Sequence, residues 1–105
     1  MDRGAINDIC HAFQEAVLDV VVEKTIRACE QKGVRAAVVG GGVSANGRLR
    51  ENLTCAAASR GIRVYFPAME FCTDNGAMIG VLGEGLYRRG FESDLSMTAD
   101  PNLKL

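Results

Sequence analysis

No C-x-x-C pair occurs among the four cysteines, Cys10, Cys29, Cys55 and Cys72. Their wide spacing excludes a zinc ribbon and gives no framework for a disulfide-stapled mini-protein. Reduced, buried thiols are the expectation. Lysine and arginine total 12 against 13 acidic residues and are spread along the chain, so composition supplies no electrostatic footprint for nucleic acid. No apolar run approaches the roughly 20 residues that cross a bilayer, and the first residues lack the basic-then-apolar pattern of a secretory leader. The expectation is a cytoplasmic protein, in which the Asn52-Leu53-Thr54 sequon carries no sugar. The single histidine, His11, has no second histidine with which to share a metal. It reads as a helix-surface or interface residue, and Ser–His or Cys–His catalysis is unsupported, since Cys72 has no identifiable base either.

What is present suffices for one small folded domain: 48% hydrophobic and 24% charged residues over 105 positions, ordinary values for a globular chain. From Ala5 to Gln31 apolar residues recur at steps of three and four through Ile6, Ile9, Phe13, Val17, Val20, Val21 and Ile26, which predicts one long amphipathic helix. Lys32-Gly33 supplies a basic last turn and a left-handed cap. Arg35 to Val39, short and apolar, predicts a strand covered on both faces. A second helix is expected from about Ser44–Asn46 to Ser59, with Leu49, Leu53 and Ala56 on one face and Gly61 as its stop. Ile62 to Phe66 predicts a second strand closed by Pro67. Thr73 or Asp74 is expected to cap a third helix running to about Arg89 and ending at Gly90. Phe91 to Leu105 has no period. Helix, strand, helix, strand, helix implies an α/β class with a parallel pair and a crossover. Two strands make a poor sheet, so the pattern reads as a piece of a larger doubly wound domain.

Two segments could carry chemistry. Gly40-Gly41-Gly42-Val43-Ser44-Ala45-Asn46 puts glycines at a strand exit and polar residues at a helix start, where a ligand can approach the backbone and unpaired N–H groups attract anions. It is neither G-x-G-x-x-G nor a Walker loop; a tight turn with Ser44 or Asn46 as cap explains it equally. Glu70-Phe71-Cys72-Thr73-Asp74-Asn75-Gly76-Ala77-Met78 is the second. Asp74 there can ligate a metal or merely cap a helix, and the residues alone favour the cap. Gly76, Gly80, Gly83 and Gly85 lie in the third helix, where each interior glycine costs about 0.8–1.0 kcal/mol relative to alanine. Close approach to another backbone or to a ligand is the expected compensation.

Gly41 to Asn46 followed by Arg48-Leu49-Arg50, and Phe71 to Ile79, resemble the two C-terminal signatures of the TsaD family of tRNA threonylcarbamoyltransferases, formerly called glycoproteases. The resemblance covers nearly the whole chain, including the Phe13 to Val21 helix. It implies an actin- and hexokinase-like ATPase fold, of which this chain is the last part of the second lobe. It also implies transfer of threonylcarbamoyl from threonylcarbamoyl-adenylate to the adenosine 3′ of the anticodon. By the same resemblance Asn46 contacts ATP or the adenylate, Gly41 and Gly42 border the nucleotide pocket, and Asp74 ligates iron or zinc. The family's paired metal-binding histidines have no match in this chain, which implies a fragment that is inactive alone. In Thr98-Ala99-Asp100-Pro101 an acid stands where a basic residue is expected. The implied partners are tRNA and proteins of the TsaB/TsaE or kinase-complex type. As a fragment the chain is expected to form a homodimer or a domain-swapped assembly. Two alternatives are a carbamoyltransferase domain of the hydrogenase-maturation type and a non-catalytic scaffold.

Overall fold

A computed structural model describes residues 2–99 and 102. It divides into two units, Met1–Asp74 and Asn75–Leu105. The first holds helix α1 (Arg3–Lys32), strand β1 (Ala36–Val38), a 3-10 turn (Gly42–Ala45), helix α2 (Gly47–Ala58), strand β2 (Arg63–Tyr65) and a 3-10 turn (Met69–Phe71). The second holds helix α3 (Gly76–Tyr87). The predicted α/β order and the parallel pairing are present, with Ala36 opposite Arg63, Ala37 opposite Val64 and Val38 opposite Tyr65.

Local chemistry explains the boundaries. At the end of α1 Gly33 adopts φ 66°, where a side chain would be strained, and Val34 N–H donates to the Cys29 carbonyl at 3.0 Å. That six-to-one bond closes a Schellman cap. The strands are shorter than predicted, three residues each. Single bonds, Arg63 N–H to Arg35 O at 3.0 Å and Val39 N–H to Tyr65 O at 2.9 Å, continue the ladder to the predicted limits of the first strand.

The core of the first unit is one seam: Leu18, Ile26 and Cys29 of α1 meet Leu49, Leu53 and Ala57 of α2, with Ile62 beneath them. Ala37, Val39, Val64 and Phe66 pack against it from the sheet. Ala57 is fully buried, whereas the predicted Ala56 is half-buried. One expectation is corrected here. Among the described residues the sheet is covered on one face only; Val38 is 84% exposed and Tyr65 is exposed on the other. The periodic stripe of α1 is not its packed face. Ile6, Ile9, Phe13, Val17, Val20 and Val21 are exposed, and of the named residues only Ile26 is buried. At about 100° per residue, the stripe through Phe13 and Val17 lies about 140° around the helix from Leu18, Val22 and Cys29, so α1 has two apolar faces and one is packed. The thiols are likewise divided: Cys29 and Cys72 are buried, Cys10 and Cys55 exposed.

In the second unit α3 ends as predicted within two residues, Gly90 taking φ 82° and Phe91 N–H donating to Leu86 O at 3.1 Å. Its cap is Asn75, whose side chain accepts the Met78 N–H at 3.2 Å. Thr73 and Asp74 are therefore not the cap. All three residues are competent for that role, and the extended backbone of Asn75, φ −152° and ψ 158°, places the helix start one residue later. A Cβ built at Gly76, Gly80, Gly83 or Gly85 meets nothing within 4 Å among the described residues. The expected close neighbour of these glycines is not found among the described residues. Asp100 and Pro101, where the acid-for-base difference was noted, lie outside the described residues.

Candidate nucleotide-binding turn and metal-ligand segment

The glycine turn begins where β1 gives up its last sheet bond. Gly41 takes φ 87°, which favours glycine. Gly40 and Gly42 have no such requirement, and at all three positions a Cβ would meet nothing within 4 Å. The surface over the turn is thus open to a ligand. Ser44 N–H bonds Gly41 O at 2.9 Å and Asn46 N–H bonds Val43 O at 3.0 Å, winding the turn into the 3-10 segment that leads to α2.

Asn46, not Ser44, caps α2: its Oδ1 accepts the Leu49 N–H at 3.0 Å. Its Nδ2 donates to Gln14 Oε1 on α1 at 3.2 Å. The carboxamide is fixed at both ends and half-buried, yet Oδ1 keeps a second lone pair and Nδ2 a second N–H. Two residues further on, in the first turn of α2, Arg48 grips Glu15 with two bonds, at 2.9 and 3.2 Å. The hydrogen bond, then the charge of Arg48, lowers the Glu15 carboxyl from its usual value, and the same hydrogen bond, then the charge of Glu15, raises Arg48. Gln14 and Glu15 thereby anchor the start of α2 to α1. Neither was a candidate in the sequence, because no spacing rule links two residues of one helix to the cap of another.

A hollow of about 360 Å³ opens beside this cap, lined by Cys10, Phe13, Gln14, Val17, Val43 and Asn46. A larger one, about 610 Å³, lies between α1 and α2 against Asp19, Glu23, Arg27, Glu30, Asn52 and Arg60. It touches neither motif and is rimmed by ion pairs such as Arg60 to Glu30 at 2.7 Å. The smaller hollow is the better ligand candidate because it alone meets a fixed, partly free amide. Ser44 Oγ is buried without a hydrogen-bond partner, the one such side-chain atom among the described residues.

Asp74 closes the second segment. It is exposed and follows the 3-10 turn in which Cys72 N–H bonds Met69 O at 3.2 Å. No three His, Cys, Asp or Glu side chains converge as a metal site among the described residues. The described residues therefore do not by themselves fit iron or zinc; Asp74 can give one oxygen ligand to a site completed from elsewhere. The glycine turn and Asp74 belong to the same unit.

Residues 3–81 match the family model described as TsaD: tRNA N6-adenosine threonylcarbamoyltransferase. The chain belongs to the TsaD family. Among curated relatives, proteins named tRNA N6-adenosine threonylcarbamoyltransferase from Symbiobacterium thermophilum and Thermosipho africanus are 48% and 42% identical over 98 and 104 residues. These alignments cover 93% and 99% of this chain but 29% and 32% of the relatives. A relative of the same name from Ralstonia pickettii is 50% identical over 72% of this chain and 22% of its own length. The chain thus spans less than a third of the length of these TsaD relatives. No helix among the described residues is long and apolar enough to cross a membrane.

Proposed function

We propose that this TsaD-family chain is the C-terminal part of an enzyme that transfers threonylcarbamoyl from threonylcarbamoyl-adenylate to the adenosine 3′ of the anticodon in tRNA. In that enzyme it forms the end of the second lobe of an actin- and hexokinase-like fold. Gly41, Gly42 and Asn46 hold ATP or the adenylate, and Asp74 gives one ligand to iron or zinc. The observation that carries this reading is Asn46: a carboxamide fixed by Leu49 N–H and Gln14, with hydrogen-bonding capacity left, at the mouth of an open glycine turn. Attack by the tRNA amine on the carbamoyl carbon forms the C–N bond and breaks the C–O bond to the adenylate's phosphate, so that AMP leaves and the amine's proton passes to water. The N-terminus of α2, 12 residues long, faces such an anion with unpaired N–H groups and a partial positive charge. It favours charge that grows on the phosphate as the bond breaks. The metal when bound supplies Lewis acidity, and this chain's share in it is the single carboxylate.

tRNA, TsaB/TsaE or kinase-complex proteins, and a cytoplasmic location go with the complete enzyme. The family match favours this reading over a hydrogenase-maturation carbamoyltransferase. Against a non-catalytic scaffold the test is direct: in a complete enzyme ending in this sequence, Asn46→Asp weakens binding of a non-hydrolysable adenylate analogue by about tenfold or more in calorimetry. Unchanged affinity overturns the site assignment.

A further inference from the structure

Arg50 is half-buried at the back of the glycine turn, and its guanidinium has partners on both signature segments. Nε donates to Ser44 O at 2.7 Å, two residues before the Asn46 cap. Nη2 donates to Pro67 O at 2.7 Å and to Cys72 Sγ at 3.2 Å, two residues before Asp74. The plane of the group lies 5.0 Å from the centre of the Phe66 ring. Cys72 is 1% exposed, and its Sγ also reaches Ala68 O at 3.5 Å. One rigid fork therefore bonds the main chain of the turn, the main chain leaving β2 and a thiol of the second segment.

We propose that Arg50 is a positioning residue that fixes the Asn46 turn relative to the segment bearing Asp74. The catalytic meaning of this rests on the proposed function, but the mechanical coupling does not. A planar guanidinium can hold divergent acceptors at once while stacking on a ring; a lysine ammonium is a point donor on a flexible stem and cannot. The side chain touches neither proposed ligand, so its effect passes through the two segments.

The test is amide hydrogen exchange on the 105-residue chain, comparing Arg50→Gln, Arg50→Lys and, as control, Arg48→Gln. The reporters are the amides whose bonds close the turns, Ser44 and Asn46 on one side and Phe71 and Cys72 on the other. Arg50→Gln is expected to speed exchange at both pairs by about tenfold or more while Leu53 and Ala57 in α2 stay within about threefold. Arg50→Lys, which keeps the charge and loses the fork, leaves both pairs fast; Arg48→Gln leaves both slow. A change at one pair only, at neither, or full rescue by lysine overturns the coupling. If Arg50→Gln unfolds the chain, the lysine variant decides, and loss of α2 protection in both variants makes Arg50 a general stability residue and also sinks the proposal. Binding of the adenylate analogue to Asn46→Asp is measured separately, so joint exchange at both segments with unchanged affinity refutes the site reading and leaves the coupling standing.

Discussion

At the scale of single residues, substitution can separate the cap that Asn46 makes from the ligand contact proposed for it. Asp is as good a cap as Asn and suits the positive end of a helix, so Asn46→Asp keeps the bond from Leu49 N–H, gives up the N–H bond to Gln14, and places a negative charge where the phosphate of the proposed ligand would lie. Asn46→Ala loses the cap as well and costs about 1 kcal/mol. Denaturant unfolding and ligand calorimetry on the two variants check this pattern. Ser44→Ala tests the buried hydroxyl. A buried polar group without a partner costs about 1–3 kcal/mol, so its removal is expected to leave the chain equally or more stable; a loss above about 1 kcal/mol would show that the hydroxyl is bonded in the native state. Of these features the cap was legible in the sequence, as a choice between Ser44 and Asn46. The start of α3 was misread by one residue because Thr73, Asp74 and Asn75 all have capping side chains, and only backbone geometry selects among them. The ligand role proposed for Asp74 came from family resemblance and not from its surroundings.

Elements carry a different lesson, and α1 shows it best. Its three- and four-residue spacing correctly gave a helix, but a helix with two apolar faces offers two equally periodic stripes, and periodicity does not say which is packed. The order of magnitude of two substitutions follows. Leu53→Ala, at 1% exposure in the α1–α2 seam, costs about 2–5 kcal/mol. Phe13→Ala, at 71% exposure on the unpacked stripe, changes stability by less than about 0.5 kcal/mol. Thermal unfolding of both variants checks the assignment, and equal losses would reverse it. The first turns of α1, exposed on every side up to Phe13, have no packing to add to helix propensity, so their amides exchange faster than those near Ile26. The strands were found at their places, but their coverage was not. A run such as Ala36-Ala37-Val38 is apolar on both faces whether or not both neighbours are present.

Large apolar side chains are exposed on several faces of both units. Besides the α1 stripe, Val38 and Tyr65 line an uncovered sheet face, and Ile79, Val81, Leu82 and Tyr87 are exposed on α3. Both strands of the two-stranded sheet have an unpaired edge, and such edges pair with other chains unless they are blocked. Patches of this kind are covered by a partner or drive association. In solution the 105-residue chain is therefore expected to self-associate, as a dimer or by exchange of an element between copies. Sedimentation across a concentration series detects this, and Phe13→Glu, which touches no core residue, weakens it if the α1 stripe is the contact. Transferase activity has a separate requirement. The transfer needs the adenylate and the tRNA amine held in one geometry, and in the proposed assignment this chain supplies one wall of such a site and one carboxylate. Assayed alone with tRNA and threonylcarbamoyl-adenylate it forms no modified adenosine; assayed with the upstream lobe of a relative and that relative's partner proteins it does, and Asn46→Asp abolishes the gain. A monomer at all concentrations would refute the reading of the open faces, while modification of tRNA by the chain alone would refute the division of the active site between this chain and the rest of the enzyme.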